Sequence, residues 1–369
     1  MNTNLRIPFY LKFSQIILGI VALFFILFIG REILVPIIFS FILAILLNPV
    51  VNYLTGRKIN RVVAILLTIL LAIILLSALL YFISSQIIMF GEMLPELKEK
   101  TNLLIKNTIT WAAGAFNVSE GQINTWLSQM EKEVLTLGKS MIGPTVISMG
   151  GMIAVLLLLP VYVFLILFYK QLFLEFINKL FTNEKQNTVA EILVESKLLI
   201  TSYLTGLLIE TGIVAVLNTA GLLILGIDYA VLLGVVSALL NIIPYVGGIV
   251  AMGLTILIVL ATESPIYALW VLILFSIVQF LDNNIIVPKI VASKVKINEF
   301  IAVVAVLVGG AFWGIPGMFL SLPIVAILKV VFDHVEPLKP LGFLFGKNDS
   351  TNEKKVLRFN KRKTKSSST

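Results

Sequence analysis

The sequence predicts an all-α membrane protein with about six full spans, two Gly/Pro-broken helical hairpins and amphipathic helices outside the membrane core. Of the 369 residues, 59% are hydrophobic and only 13% are charged, and the mean hydropathy is +1.03. Soluble domains contain about 25% charged residues, so this chain has too little polar surface to fold in water. The second observation is a series of apolar runs, most of them close to the roughly 17–25 residues that cross a bilayer as a helix.

The N-terminal region, residues 1–85, is predicted to contain three spans. Its apolar runs are 13–29, 33–51 and 62–84. The first run resembles a signal peptide in length, but it lacks a small-residue cleavage site and more spans follow it. We therefore expect it to remain as the first span. Arg57, Lys58 and Arg61 separate the second span from the third.

Two polar segments flank a fourth span. Residues 86–142 carry charges at helical intervals and are predicted to form an extracytoplasmic amphipathic helical segment. Residues 143–169 form the fourth span, which Pro160 interrupts. In residues 170–200, lysines and glutamates balance one another, which predicts a cytoplasmic amphipathic helix.

Residues 201–335 are predicted to contain two further spans and two long apolar stretches broken by glycine and proline. The spans are 203–225 and 265–287, and the broken stretches are 229–261 and 300–332. The breaks contain Pro244, Gly247, Gly248, Gly309, Gly310, Gly314, Pro316 and Gly317. Residues 336–369 form a basic tail, in which residues 347–365 carry eight basic and two acidic residues, or +6 of the net charge of +8.

The positions of lysine and arginine predict the orientation, because cytoplasmic flanks of spans are enriched in them. The basic flank after the second span places the N-terminus inside. If each broken stretch is a hairpin that returns to its own side, the lysines of residues 289–296 and the basic tail are also cytoplasmic. Hairpin arms of about 14 residues would be about 21 Å long, which is shorter than the hydrocarbon core of about 30 Å.

Other arrangements of the broken stretches remain open. If each stretch crosses once as a kinked helix, the lysines of residues 289–296 lie outside, against the usual bias. Two full spans per stretch would leave the ends on the same sides as hairpins do. The glycines could also serve tight helix packing alone.

One carboxylate, Glu210, falls about seven residues into the fifth span. A carboxylate inside the membrane is costly, so it is a candidate for binding a proton or a cation. The alternative is a protonated acid that is hydrogen-bonded to a neighbouring helix.

A second polar group precedes Pro288. It consists of Gln279, Asp282, Asn283 and Asn284, which offer one anion and three amides. Amides donate to and accept from hydroxyl groups, so this group suits a polyol or a cation, although it could also be a polar helix end. Asn241, just before the first break, could cap a half-helix or line the same path.

Enzyme classes are poorly supported. The chain has no cysteine and a single histidine, His334, which excludes thiolate chemistry and multi-histidine metal sites. No phosphate-binding loop or nucleophile elbow is present. We expect no cofactor, no metal and no nucleic acid partner.

The sequence resembles the autoinducer-2 exporter family of bacterial membrane proteins from about residue 10 to 335. The similar segments are 36–51, Tyr203–Gly206, Gly226–Gly234, Leu240–Gly248, Gln279–Lys289 and Val308–Pro323. One difference is that many family members have His-Pro where this chain has Asn298 and Glu299.

The resemblance implies a secondary transporter of the bacterial inner membrane. Because Glu210, Asn241, Gln279 and Asp282 all fall within residues 201–335, we expect this region to be the transport core. The resemblance also implies a homo-oligomer that exports a small hydrophilic solute, such as the signal autoinducer-2. Exchange of sodium or lithium for protons is the alternative. A membrane scaffold without transport is a further alternative, but it would not need polar residues beside the breaks.

Overall fold

The structure is a computed structural model that describes residues 8–92, 149–244, 246–290 and 297–346. Within these ranges the elements are helices, apart from an isolated β-bridge between Ile297 and Gly346. Five of these helices are long and apolar enough to cross a membrane, and a sixth candidate is a pair bent by 62°. The predicted class, an all-α membrane protein, is confirmed. Most of the predicted segment 86–142 and of the basic tail lies outside the described residues.

The N-terminal helices form the first part of the bundle. They are α1 (Phe9–Ile29), α2 (Arg31–Gly56), α3 (Arg61–Glu92), α4 (Met149–Phe168) and α5 (Lys170–Leu180). Helices α2, α3 and α4 meet around the buried residues Ala44, Ala64, Ile65 and Val163. The two alanines allow close approach of the helices, as is usual in membranes.

The C-terminal helices form the second part. They are α6 (Asn183–Ile224), α7 (Ala230–Asn241), α8 (Val246–Thr262), α9 (Pro265–Leu281), a π-helix (Asp282–Ile286), α10 (Val287–Ile290), α11 (Glu299–His334), a 3-10 turn (Glu336–Leu338) and α12 (Lys339–Phe345). A core containing Leu222, Leu233, Val259 and Phe275 joins α6, α7, α8 and α9. The segment 170–200 is not one helix. It is divided between α5 and the first half of α6, which continues without a break into the predicted fifth span.

Helices α7 and α8 form the first hairpin. The hydroxyl oxygens of Ser237 and Thr255 lie 3.3 Å apart although the residues are 18 positions apart in sequence. Gly247 packs so closely that a Cβ there would overlap the carbonyl oxygen of Leu240. At 1.5 Å per residue the two arms are about 18 and 25 Å long.

Helix α11 is folded back on itself and forms the second hairpin. Gly314 has φ 63° and ψ −144°, a conformation that side chains disfavour. Beyond this turn, Gly317 packs against the backbone of Gly309. In a straight helix these two residues would be about 12 Å apart. Length and composition alone place α11 among the single spans, but this contact requires a reversal of the chain.

The tip of the second hairpin contacts α1. The indole Nε1 of Trp313 donates a hydrogen bond to the carbonyl oxygen of Leu27 at 3.0 Å. The rings of Phe312 and Phe24 are 5.2 Å apart. Most other described side chains of α1 are exposed and apolar, so this helix is suited to contact lipid or another subunit.

Asn298, where the sequence departs from the His-Pro of many family members, fastens the start of α11. Its side-chain oxygen accepts from the backbone N–H of Ile301 at 2.8 Å, and its amide donates to the carbonyl oxygen of Leu344 at 2.6 Å. We expect Asn298→Ala to lower the free energy of unfolding by about 1–2 kcal/mol, because both the helix cap and the link to α12 are lost. Thermal unfolding in detergent measures this loss, and Asn298→Asp, which keeps the cap, should lose less. Equal stability of Asn298→Ala and the unsubstituted protein would contradict the assignment.

Candidate functional site

Two carboxylates and one amide form the centre of the candidate site. Asn241, at the end of α7, donates from Nδ2 to Asp282 Oδ2 at 3.0 Å and to Glu210 Oε1 at 3.4 Å. Glu210 and Asp282 are only 6% and 2% exposed as whole residues. Because both carboxylates contact one nitrogen, three separate helical segments bring two acids together at the tip of the first hairpin.

The second carboxylate oxygen of Asp282 is an unsatisfied acceptor. Oδ1 of Asp282 is buried and has no hydrogen-bond partner among the described residues. A buried carboxylate oxygen without a donor is costly, so it marks a place where a proton, a cation or a hydroxyl group would be stabilised. We call Glu210, Asn241 and Asp282 the carboxylate centre.

A small cavity adjoins the carboxylate centre. Its volume is about 10 Å³, and its polar walls come from Asn218, Ser237, Asn241, Gln279 and Asp282. This volume holds about one water molecule or one bare cation. In this conformation the cavity cannot hold a solute the size of a sugar.

A π-helix positions Asp282. Residues Asp282–Ile286 form this single wide turn between α9 and α10. Such turns insert an extra residue into a helix, so they change the direction of the side chains that follow, and they are frequent at functional sites. Asp282 is turned inward, whereas the next two residues are exposed.

The structure brings together some of the predicted path residues and separates others. Gln279 lines the cavity and donates from Nε2 to Asn283 Oδ1 at 3.2 Å. Asn284 is exposed, and its amide bonds to the carbonyl oxygen of Phe280. Asn283 and Asn284 therefore lie outside the carboxylate centre, and their predicted role in the path stays a prediction.

Of the glycines and prolines at the predicted hairpin tips, some lie beside the site and others do not. A Cβ on Gly248 would overlap Gln279 Oε1 and lie 3.1 Å from Asn241 Oδ1, so Gly248 belongs to the wall of the site. Gly247 packs the hairpin, next to Pro244 in its turn. The second-hairpin residues have no described contact with the carboxylate centre. They are Gly309, Gly310, Gly314, Pro316 and Gly317.

Sequence analysis missed three buried polar residues of this region. Asn218 is 3% exposed, and its Oδ1 has no partner among the described residues. Ser237 and Thr255 pair across the first hairpin. Helical spacing in the sequence could have identified two of them. Asn218 lies eight residues after Glu210, on the same face of its helix, and Ser237 lies four residues before Asn241, on the same face of its own helix.

Among the described residues, no group of three or more His, Asp or Glu side chains could hold a metal ion. The histidine, His334, instead lies near the end of α11, with Nε2 3.6 Å from Glu195 Oε2 of α6. Any cation at the carboxylate centre would be held by two carboxylates and neutral oxygens.

Comparison with known proteins identifies the family. The sequence model described as the AI-2E family transporter matches residues 16–336. A Bacillus subtilis protein named "Putative transport protein YueF" is 27% identical over 81% of this chain and 83% of its own length. The Escherichia coli K12 protein named "AI-2 transport protein TqsA" is 25% identical over 83% of this chain and 87% of its own length. The match spans α1 to the end of α11, so the protein belongs to the AI-2E family of membrane transporters.

Proposed function

We propose that the protein is a secondary transporter of the bacterial inner membrane that exports a small hydrophilic solute. The observation that carries the proposal is the carboxylate centre, which lies at the tip of a short, broken hairpin. Transporters with broken helices bind substrate and coupling ion at such breaks, near the middle of the membrane. Autoinducer-2 itself is one candidate, because a relative is named as its transport protein.

The chemistry of the centre supports coupling to a proton or a cation. Two buried carboxylates beside one amide repel each other when both are ionised. A proton on one of them, or a cation between them, relieves this repulsion. Loading and release of that charge would then change which conformation of the hairpin is stable.

Exchange of sodium or lithium for protons is the second candidate, and the cavity favours it. About 10 Å³ accommodates a bare cation but not an organic solute. A solute exporter must open a larger space during its cycle. A scaffold without transport is the weakest candidate, because a scaffold gains nothing from burying Glu210 and Asp282.

For the mechanism, we propose that the segment from Tyr203 to Phe332 moves as a unit against a frame formed by residues 1–85. Among the described residues the frame buries no carboxylate, whereas the segment holds the carboxylate centre and both hairpins. The exposed apolar face of α1 supports a homo-oligomer in which the frame makes the subunit contacts.

Transport into inverted membrane vesicles tests the function. An imposed proton gradient should drive uptake of a small polyol such as autoinducer-2, and an Asp282→Asn protein should not support this uptake. Uptake of sodium or lithium without polyol uptake would assign the antiporter instead. Absence of both activities would contradict a transporter coupled to protons.

The orientation gives a separate prediction. In the proposed topology both termini are cytoplasmic, Thr182 lies in the cytoplasm and Ser264 lies outside. Both residues are exposed, precede a helix and make no capping hydrogen bond through their side chains. Since the chain lacks cysteine, Ser264→Cys should react with an impermeant maleimide in intact cells, and Thr182→Cys should react only after lysis.

The labelling also distinguishes the arrangements of the first broken stretch. If residues 229–261 crossed the membrane once, Ser264 would be cytoplasmic, and Ser264→Cys would be protected in intact cells. Such protection would overturn the hairpin topology.

A further inference from the structure

A second cleft lies at the junction of α2, α3, α4 and α5. Its volume is about 510 Å³, and it shares no lining residue with the cavity beside the carboxylate centre. Its polar walls come from Asn48, Asn52, Thr55, Arg61, Lys170 and Gln171. Two cations and four neutral polar side chains face the cleft, and none of the described lining residues is acidic.

Both cations are held in place. Lys170 Nζ donates to Asn48 Oδ1 at 3.1 Å, and Arg61 Nη2 donates to the carbonyl oxygen of Leu167 at 2.8 Å. Burial lowers the pKa of Lys170, and repulsion from Lys197 and Arg61 lowers it further. Neither Lys170 nor Arg61 forms an ion pair with an acidic side chain in the described part of the chain.

Asn48 provides the strongest sign of a ligand. The residue is 5% exposed, and Nδ2 has no hydrogen-bond acceptor among the described residues. A buried donor without an acceptor is costly. Asn48, Lys170 and Arg61 all line one cleft, and a cluster of cationic and amide donors is the chemistry that binds an oxyanion.

Helix α5, beside the cleft, has the amphipathic character of a helix at a membrane interface. Helix α5 begins at Lys170 after the chain bends by 62° relative to α4. It carries exposed apolar residues, including Leu172 and Phe176, beside charged ones. Such helices lie along the boundary between lipid headgroups and acyl chains.

We propose that this cleft binds a phosphate group, supplied either by the headgroup of an anionic phospholipid in the adjoining leaflet or by a soluble phosphate. The cleft volume suits a headgroup as well as a small phosphorylated solute. Lys170 and Arg61 provide the charge, and Asn48 Nδ2 provides a neutral donor. Bound phosphate would tie α2, α3, α4 and α5 together at one end of the bundle.

The test measures the thermal unfolding midpoint of the full chain in nanodiscs. One arm compares phosphatidylcholine alone with phosphatidylcholine containing phosphatidylglycerol, and the other titrates inorganic phosphate into phosphatidylcholine nanodiscs. We expect the unfolding midpoint to rise in at least one arm. Lys170→Gln should weaken the apparent affinity about tenfold, as expected for the loss of one charge-assisted hydrogen bond, and Lys170→Arg should retain most of it.

Lys179→Gln is the matched control, because Lys179 lies on the same helix but is exposed and paired with Glu175. A response to phosphatidylglycerol that Lys170→Gln weakens identifies a lipid site, and the same response to inorganic phosphate identifies a soluble ligand. The proposal is overturned if neither arm shifts the midpoint, or if Lys179→Gln weakens the response as much as Lys170→Gln. These results do not depend on whether the protein transports a solute.

Discussion

Asp282→Asn is expected to reduce transport by about 10- to 100-fold while the protein still inserts and folds. The substitution keeps the size of the side chain but removes its charge, so a hydrogen bond to a charged group worth about 1.5–3 kcal/mol is weakened or lost. It also removes the carboxylate that could bind a proton or a cation in turn and accept a hydrogen bond from Asn241. Transport rates in proteoliposomes, normalised to inserted protein, measure the effect.

Glu210→Gln tests the second half of the same centre. Since Asn241 contacts both carboxylates, removing either charge should impair transport, and the double substitution should cost less than the two single effects combined. Glu191→Gln is the control, because Glu191 lies on the same helix α6 but is exposed.

The pH dependence of transport shows whether the two carboxylates couple proton movement to transport or only stabilise the structure. If a proton on one carboxylate drives the cycle, the variants that retain residual transport should respond less to pH than the unsubstituted protein. Normal transport by both Glu210→Gln and Asp282→Asn between pH 6 and 8, a range chosen to bracket perturbed carboxylates, would show that both residues are structural.

Sequence analysis predicted the hairpins better than it predicted the site. The Gly and Pro clusters identify both reversals, because few other residues allow a turn like that at Gly314. The carboxylate centre was only a set of separate candidates, since Glu210 and Asp282 lie on different helices and their distance depends on tertiary packing. The π-helix was not predictable either, and it decides that Asp282 faces inward while Asn283 and Asn284 are exposed.

The long helix α6 was missed for a different reason. Its first half is charged and its second half is apolar, which indicates two environments and was interpreted as two elements. No proline occurs between Asn183 and Ile224, so one helix can run from the interface into the membrane. Composition predicts where a helix lies, but it does not predict whether the helix is interrupted.

Glycine-to-alanine substitutions in the two hairpins test whether transport requires close packing of the hairpin arms. Gly247→Ala would place a methyl group on the carbonyl oxygen of Leu240, and Gly317→Ala would place one on the backbone of Gly309. Neither backbone group can move without opening the hairpin. Overpacking of this kind costs about 1–3 kcal/mol, so we expect both variants to lose most transport.

Gly253→Ala and Gly310→Ala are the matched controls. A Cβ on Gly253, in α8, would meet nothing within 4 Å, and the three atoms nearest to one on Gly310 belong to the flexible side chain of Met318. Alanine is favoured over glycine in helices by about 1 kcal/mol, so Gly253→Ala should be neutral or stabilising, and Met318 should adjust to Gly310→Ala. Transport and thermal unfolding of all four variants in the same vesicles make the comparison. If Gly247→Ala and Gly317→Ala transport as well as Gly253→Ala, close packing of the hairpin arms is not required for turnover, and the solute crosses by a route that does not depend on closed hairpins.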